Sequence, residues 1–166
     1  MKIQPINKSQ FAQIDGSRQI IAHDHSRQFA VIELGEHLGS YAISWRSDLI
    51  SPIVKKTPDE QIVWIGVDQK LAAINLQNGR IIIAMPFPNY ILQIITLSKV
   101  TAVLTEWSVL LFNPGGTVRL IEDLSEQAIG MSVVDENLLI QLLEGERLIL
   151  NPETGSFIEL AVAASV

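Results

Sequence analysis

Two histidines one residue apart, His23 and His25, carry the spacing in this sequence best suited to chemistry. Side chains alternate along a strand, so on a strand both imidazoles face the same way. With Asp24 or His37 as further ligands they form a candidate metal site. The plain alternative is an exposed strand end that has run out of apolar residues. A second set is acidic. Asp68, Glu106 and Glu144 stand 38 residues apart, each in a short polar turn. A cyclic arrangement of those turns sets three carboxylates on a channel rim, where they can collect a cation or a basic peptide. Against this, turn tips are polar simply because they are wet. A small hydrolase or lyase working from such a rim needs one carboxyl buried enough to raise its pKa, and no such pair can be read here. There is no Gly-x-Ser-x-Gly elbow, no Walker loop and no Rossmann glycine fingerprint. Cysteine is absent, so zinc-thiolate sites, cysteine nucleophiles and disulfides are excluded. No residue pattern calls for a cofactor.

Aromatic residues form a third set, made informative by their scarcity at 6%. Trp64 sits inside an apolar run and is expected in the core. Trp107 falls at a hairpin tip, and Phe87 and Tyr90 fall in the Pro86-Phe87-Pro88-Asn89-Tyr90 connection. Trp45 and Arg46 open the preceding connection. If these connections share one face, the five residues gather there, and exposed Trp, Tyr and Arg are the usual material of interface hot spots. The competing reading folds each ring over its own sheet.

What positions all of these is a repeat. The stretch from Leu71 to Ile81 returns at Val109 to Val118 and at Arg147 to Phe157, with Asn75, Asn113 and Asn151 recurring every 38 residues. A weaker copy starts at Phe29, with Glu33 at the Asn position. Each copy is preceded by another apolar run and a short polar turn, and followed by a Gly- and Pro-rich turn and a further run. Ser26-Arg27-Gln28, Asp68-Gln69-Lys70, Glu106-Trp107-Ser108 and Glu144-Gly145-Glu146 read as hairpin turns between the second and third strands. One more strand precedes each unit, near Phe11 to Ile14, Leu49 to Val54, Tyr90 to Leu97 and Ala128 to Val134. Four units result, at about 8–45, 48–86, 90–123 and 128–162. No segment shows convincing helical periodicity.

Four-stranded units at a period near 40 are the sequence form of a β-propeller. The stretches Ala73 to Gly79 and Ile149 to Gly155 resemble the turn between third and fourth strands in quinoprotein-like and WD-type propeller repeats. There an Asp or Asn closes the turn and a Gly follows four residues later. The third copy keeps its Asn but shifts its glycines. The likeness implies an all-β, propeller-like fold of four blades and no quinone cofactor. A β-sandwich or barrel explains many short strands but not the regular 38. One blade cannot bury both faces alone. Lys2 to Asn7 and Ala161 to Val166 are spare segments available for closure, and dimerisation of an open half is the other route.

Length and composition agree. At 166 residues one domain over 1–166 is expected. The chain is 48% apolar and 18% charged, too apolar for disorder. A net charge of −6 without a basic stripe argues against nucleic acid. No apolar run spans a bilayer and none heads the chain as a signal peptide, so a cytoplasmic protein is expected. The function expected is a non-enzymatic interaction or scaffold module with a protein partner. A homodimer is expected through the last strand of the second unit, where Ile81, Ile82, Ile83 and Met85 form an edge without charge. Apolar edges invite another strand. The matching strands of the third and fourth units carry Arg119, Glu122 and Glu159.

Overall fold

Val, Ile and Leu in short runs pack well on pleated sheets, and strands dominate the molecule. The computed structural model describes residues 1–158. Sixteen strands form four four-stranded sheets among them. Four separate sheets at the repeat period make a propeller-like fold rather than a two-sheet sandwich. The chain falls into two units, Met1–Ile91 and Leu92 onward.

The first unit opens with β1 (Lys2–Pro5), a short helix α1 (Lys8–Gln13), a single 3-10 turn (Gly16–Arg18), β2 (Gln19–Ile21), β3 (Gln28–Glu33) and β4 (Ser40–Trp45). Its sheet runs β1-β3-β4-β2, and this departs from the expected blade in three ways. Phe11 to Ile14 is not a strand, since α1 occupies most of it. Six residues are too few to show a helical period, but the cap is present: the Asn7 side chain accepts from the Gln10 amide at 2.8 Å and the Gln10 side chain accepts from the Asn7 amide at 2.9 Å, a capping box. Phe11 then lies against Phe29, ring centroids 5.4 Å apart. The segment Lys2–Pro5 pairs antiparallel with β3, Lys2 opposite Glu33 and Pro5 opposite Ala30. With that edge of β3 taken, β2 pairs parallel with β4, so Ser26 to Gln28 closes no hairpin.

The second sheet is regular: β5 (Ile53–Lys56), β6 (Ile62–Val67), β7 (Lys70–Asn75) and β8 (Ile81–Pro86), each antiparallel to the next. β6 and β7 are buried along both faces, as expected of runs without polar alternation. Ile21, Ile32 and Ile43 of the first sheet meet Val63, Ile65 and Ile74 of the second in one core. Trp64 is buried, as expected. Each fully buried aliphatic side chain of this kind contributes about 1.5–3 kcal/mol of transfer free energy.

The second unit repeats the regular pattern. β9 (Ile91–Thr96), β10 (Thr101–Thr105), β11 (Ser108–Phe112) and β12 (Val118–Asp123) form one sheet, and β13 (Ala128–Val134), β14 (Asn137–Leu142), β15 (Arg147–Asn151) and β16 (Ser156–Ile158) the other. Their core joins Ala102, Leu104, Val109 and Leu111 to Leu138, Ile140, Leu142 and Leu150. Gln93 ties the two sheets at their first strands. Its side chain donates to the Met131 carbonyl at 2.6 Å and accepts from the Met131 amide at 3.0 Å. Glu159 and Ala161 to Val166 lie outside the described residues.

The repeated asparagines act as their sequence context suggests. Asn75 Oδ1 accepts from the amides of Gln77 and Asn78, and Asn151 Oδ1 from those of Glu153 and Thr154. The amides of Gly79 and Gly155, both at positive φ, return to the carbonyls of Asn75 and Asn151. Asn113, whose glycines are displaced, does otherwise. Its side chain donates to Thr117 Oγ1 and accepts from Arg119 Nε.

Candidate interaction surface

At one end of the first unit, the connections leaving β4 and β8 meet the turn between β6 and β7. That turn holds Asp68 at φ +49, a left-handed conformation that Asp adopts more readily than most residues. Asp68 is only 2% exposed, unlike a wet turn tip. Its Oδ2 accepts from the amides of Arg46 at 2.8 Å and Ser47 at 3.3 Å, and its carbonyl from the Ile91 amide at 2.7 Å. The neighbouring Gln69 carbonyl accepts from the Phe87 amide at 2.7 Å, and the Gln69 side chain donates to the Pro88 carbonyl at 2.8 Å. One buried carboxylate and its neighbour thus hold both connections. Asp68 Oδ1 has no hydrogen-bond partner among the described residues.

Around this anchor sit three of the five residues expected to form a partner face. Arg46 is exposed and its Nε donates to the Asp24 carbonyl at 2.5 Å. Tyr90 is exposed and Phe87 half-buried. Trp45 does not join them: it ends β4 as a core residue, 8% exposed, with its indole N–H donated to the Ile50 carbonyl at 3.0 Å. Trp107 lies in the second unit, exposed in the β10–β11 turn. Leu49 is the residue that sequence reasoning missed. Its apolar context suggests a strand, whereas β5 begins only at Ile53 and Leu49, in the same connection as Arg46, is 97% exposed. The signal available was Ser51-Pro52, a turn marker that ends the approach to the strand.

The histidines do not share a strand. β2 stops at Ile21, and His25 adopts φ +56 in the turn beyond it. His23 Nδ1 lies 2.6 Å from the Ser44 carbonyl oxygen, and its Nε2 accepts from the Gln69 amide at 3.4 Å. Those partners require the proton on Nδ1. Ser26 and Ser44 complete this polar cluster, their hydroxyls 2.9 Å apart. His37 lies in the β3–β4 turn. Among the described residues no three His, Asp or Glu side chains are grouped to hold a metal ion.

Glu106 is half-buried and Glu144 exposed, both in the second unit. Glu126, 18 residues upstream, joins Glu144 and its sequence neighbour Glu146. Loss of hydration, then the charges of Glu144 and Glu146, push the Glu126 carboxyl above its ordinary value. Among the described residues β8 pairs only with β7 and so forms an edge there, with Ile81 exposed and Ile82, Ile83 and Met85 half-buried. Part of its length faces β2 across a cavity of about 270 Å³ lined by Ile20, Ala22, Ala84 and Met85.

No protein-family model matches the chain, and no curated protein is detectably similar to it. Solved structures are. The N-terminal domain of Nup159 superposes with a TM-score of 0.53 at 11% identity, over 85% of this chain and 42% of that one. Sqt1 of Saccharomyces cerevisiae gives 0.56 at 16% identity, over 95% and 48%. BBS1N, solved in complex with ARL6DN, gives 0.50 at 13% identity, over 81% and 46%. The chain spans less than half the length of each. At such identities the likeness concerns the fold alone, and the fold is that of β-propeller-type proteins. No helix among the described residues is long and apolar enough to cross a membrane.

Proposed function

We propose that this chain is a non-enzymatic interaction module whose partner is a protein, bound at the end of the first unit around Arg46, Leu49, Phe87 and Tyr90. The observation that carries the reading is Leu49, 97% exposed in a connection whose backbone is pinned to buried Asp68. An exposed apolar side chain on a held backbone loses little freedom on binding, which favours association. Arg46 and Tyr90 supply residue types common in hot spots. Propeller-type neighbours such as BBS1N, solved with ARL6DN, are compatible with a protein partner. The proposal extends to action as one domain over 1–166 and to a homodimer through the β8 edge.

The test is affinity capture from the native cell with wild type and with the Leu49→Asp, Tyr90→Ala double variant. A partner that binds purified wild type and loses at least tenfold in affinity for the folded double variant supports the surface. Equal binding by both refutes it.

A further inference from the structure

Away from that surface, the first unit contains a cavity of about 290 Å³ lined by Ser17, Arg18, His37, Tyr41, Asn78 and Gly79. Arg18 is its chemical centre. Its Nη1 donates to the Leu38 carbonyl at 2.5 Å, and its guanidinium carbon lies 4.6 Å from the centre of the Tyr41 ring. Tyr41 is itself fixed by donating its hydroxyl to the Gly79 carbonyl at 2.6 Å. Two glycines make this arrangement possible. A Cβ on Gly39 would stand 3.4 Å from Arg18 Nη1, and one on Gly79 would stand 2.8 Å from the Tyr41 hydroxyl.

The guanidinium is thus half-buried, oriented and without an ion pair among the described residues. Nη2 and Nε have no hydrogen-bond partner among them either. Asp15 is the nearest candidate counter-ion on its own segment, but it is engaged elsewhere. It accepts from the Ser17 hydroxyl at 2.7 Å and the Ser17 amide at 2.9 Å. Those two bonds, ahead of the Arg18 charge, hold its carboxyl below the ordinary value. A guanidinium held on one side by a carbonyl and an aromatic face, with its remaining donors open, fits an oxyanion by two parallel hydrogen bonds. His37 and Asn78 also line this cavity. The net charge of −6 repels anions in general, so affinity here has to arise from this local donor set.

We propose that this cavity is a binding site for the oxyanion group of a small ligand, a phosphate or a carboxylate, received by Arg18. The site is separate from the Arg46–Tyr90 surface, and either proposal can fail without the other.

The experiment titrates the ¹⁵N-labelled 166-residue chain with sodium phosphate and, separately, with sodium succinate, at constant ionic strength set by sodium chloride. Saturable shifts confined to the amides of Ser17, Arg18, Asn78 and Gly79 are expected. Phosphate alone, succinate alone, or both producing them each supports the site and names its source. Arg18→Gln is expected to weaken binding at least tenfold. Because Arg18 also holds Leu38 and Tyr41, Asn78→Asp provides the second arm. Its side chain can still accept from the Arg80 amide, as Asn78 does at 2.9 Å, while adding a negative charge to the lining. It is expected to remain folded and weaken binding at least tenfold. Absence of saturable shifts with both anions, or unchanged affinity in folded Asn78→Asp, overturns the proposal.

Discussion

Replacing Asp68 tests whether one buried carboxylate holds the connections at the end of the first unit. In Asp68→Ala the amides of Arg46 and Ser47 lose their acceptor. The 2.8 Å bond joins an amide to a buried charged acceptor and is worth about 2 kcal/mol, and the longer one at 3.3 Å about 0.5 kcal/mol. The left-handed backbone adds about 1 kcal/mol for an alanine at this φ. The expected loss is therefore about 3–4 kcal/mol, a large share of the roughly 5–15 kcal/mol typical of a folded domain. Asp68→Gly removes the same bonds but accepts the backbone, so it should lose about 1 kcal/mol less. Asp68→Asn tolerates the φ and keeps one acceptor oxygen, and is expected within about 1.5 kcal/mol of wild type. Urea denaturation with a shared m-value ranks the three, and hydrogen exchange at Arg46 and Ser47 locates the effect. An Asp68→Ala protein within about 1 kcal/mol of wild type, roughly the worth of one hydrogen bond, with those two amides still protected, would refute the reasoning.

Three further outcomes are expected. Gly79→Ala, at φ +72 and with its Cβ 2.8 Å from the Tyr41 hydroxyl, should destabilise by about 2–3 kcal/mol, whereas Gly115→Ala, at φ +91 in open space, should lose only about 1 kcal/mol; thermal denaturation distinguishes them. Burial and the charges of Glu144 and Glu146 raise the folded-state pKa of Glu126, so the folded chain holds that proton more tightly. The resulting stabilisation is complete below the unfolded value and is lost as pH rises through the folded one. Glu126→Gln keeps the neutral form throughout, so its stability relative to wild type should grow from about pH 4 to about pH 7 in parallel melts, and a constant difference refutes this. Ile82→Lys places a charge on the β8 edge; wild type is expected to scatter light as a dimer at high micromolar concentration and the folded variant as a monomer, and equal masses refute the interface.

Residue order alone establishes the repeat and the local turns built on it. A period of 38 carried on Asn75, Asn113 and Asn151 is visible because each asparagine makes local contacts, as does each short turn beside it. Local chemistry of this kind reads directly along the chain. The displaced glycines after Asn113 even marked the copy whose turn is built differently. Long-range contacts set the remainder. Pairing of Lys2–Pro5 with β3 joins residues far apart in the chain, and it converts the expected hairpin of the first unit into a parallel pair of β2 with β4. Exposure was no more legible. Asp68 has the sequence of a wet turn tip, and only two connections folding over it make it a buried anchor. Leu49 has the sequence of a strand residue, yet β5 begins four positions later. Arg18 carries no signal of its own, because its meaning lies in a carbonyl 20 residues away and the tyrosine ring of Tyr41 on β4. Residue order records what a side chain offers, whereas burial and missing partners depend on what the rest of the chain brings to it.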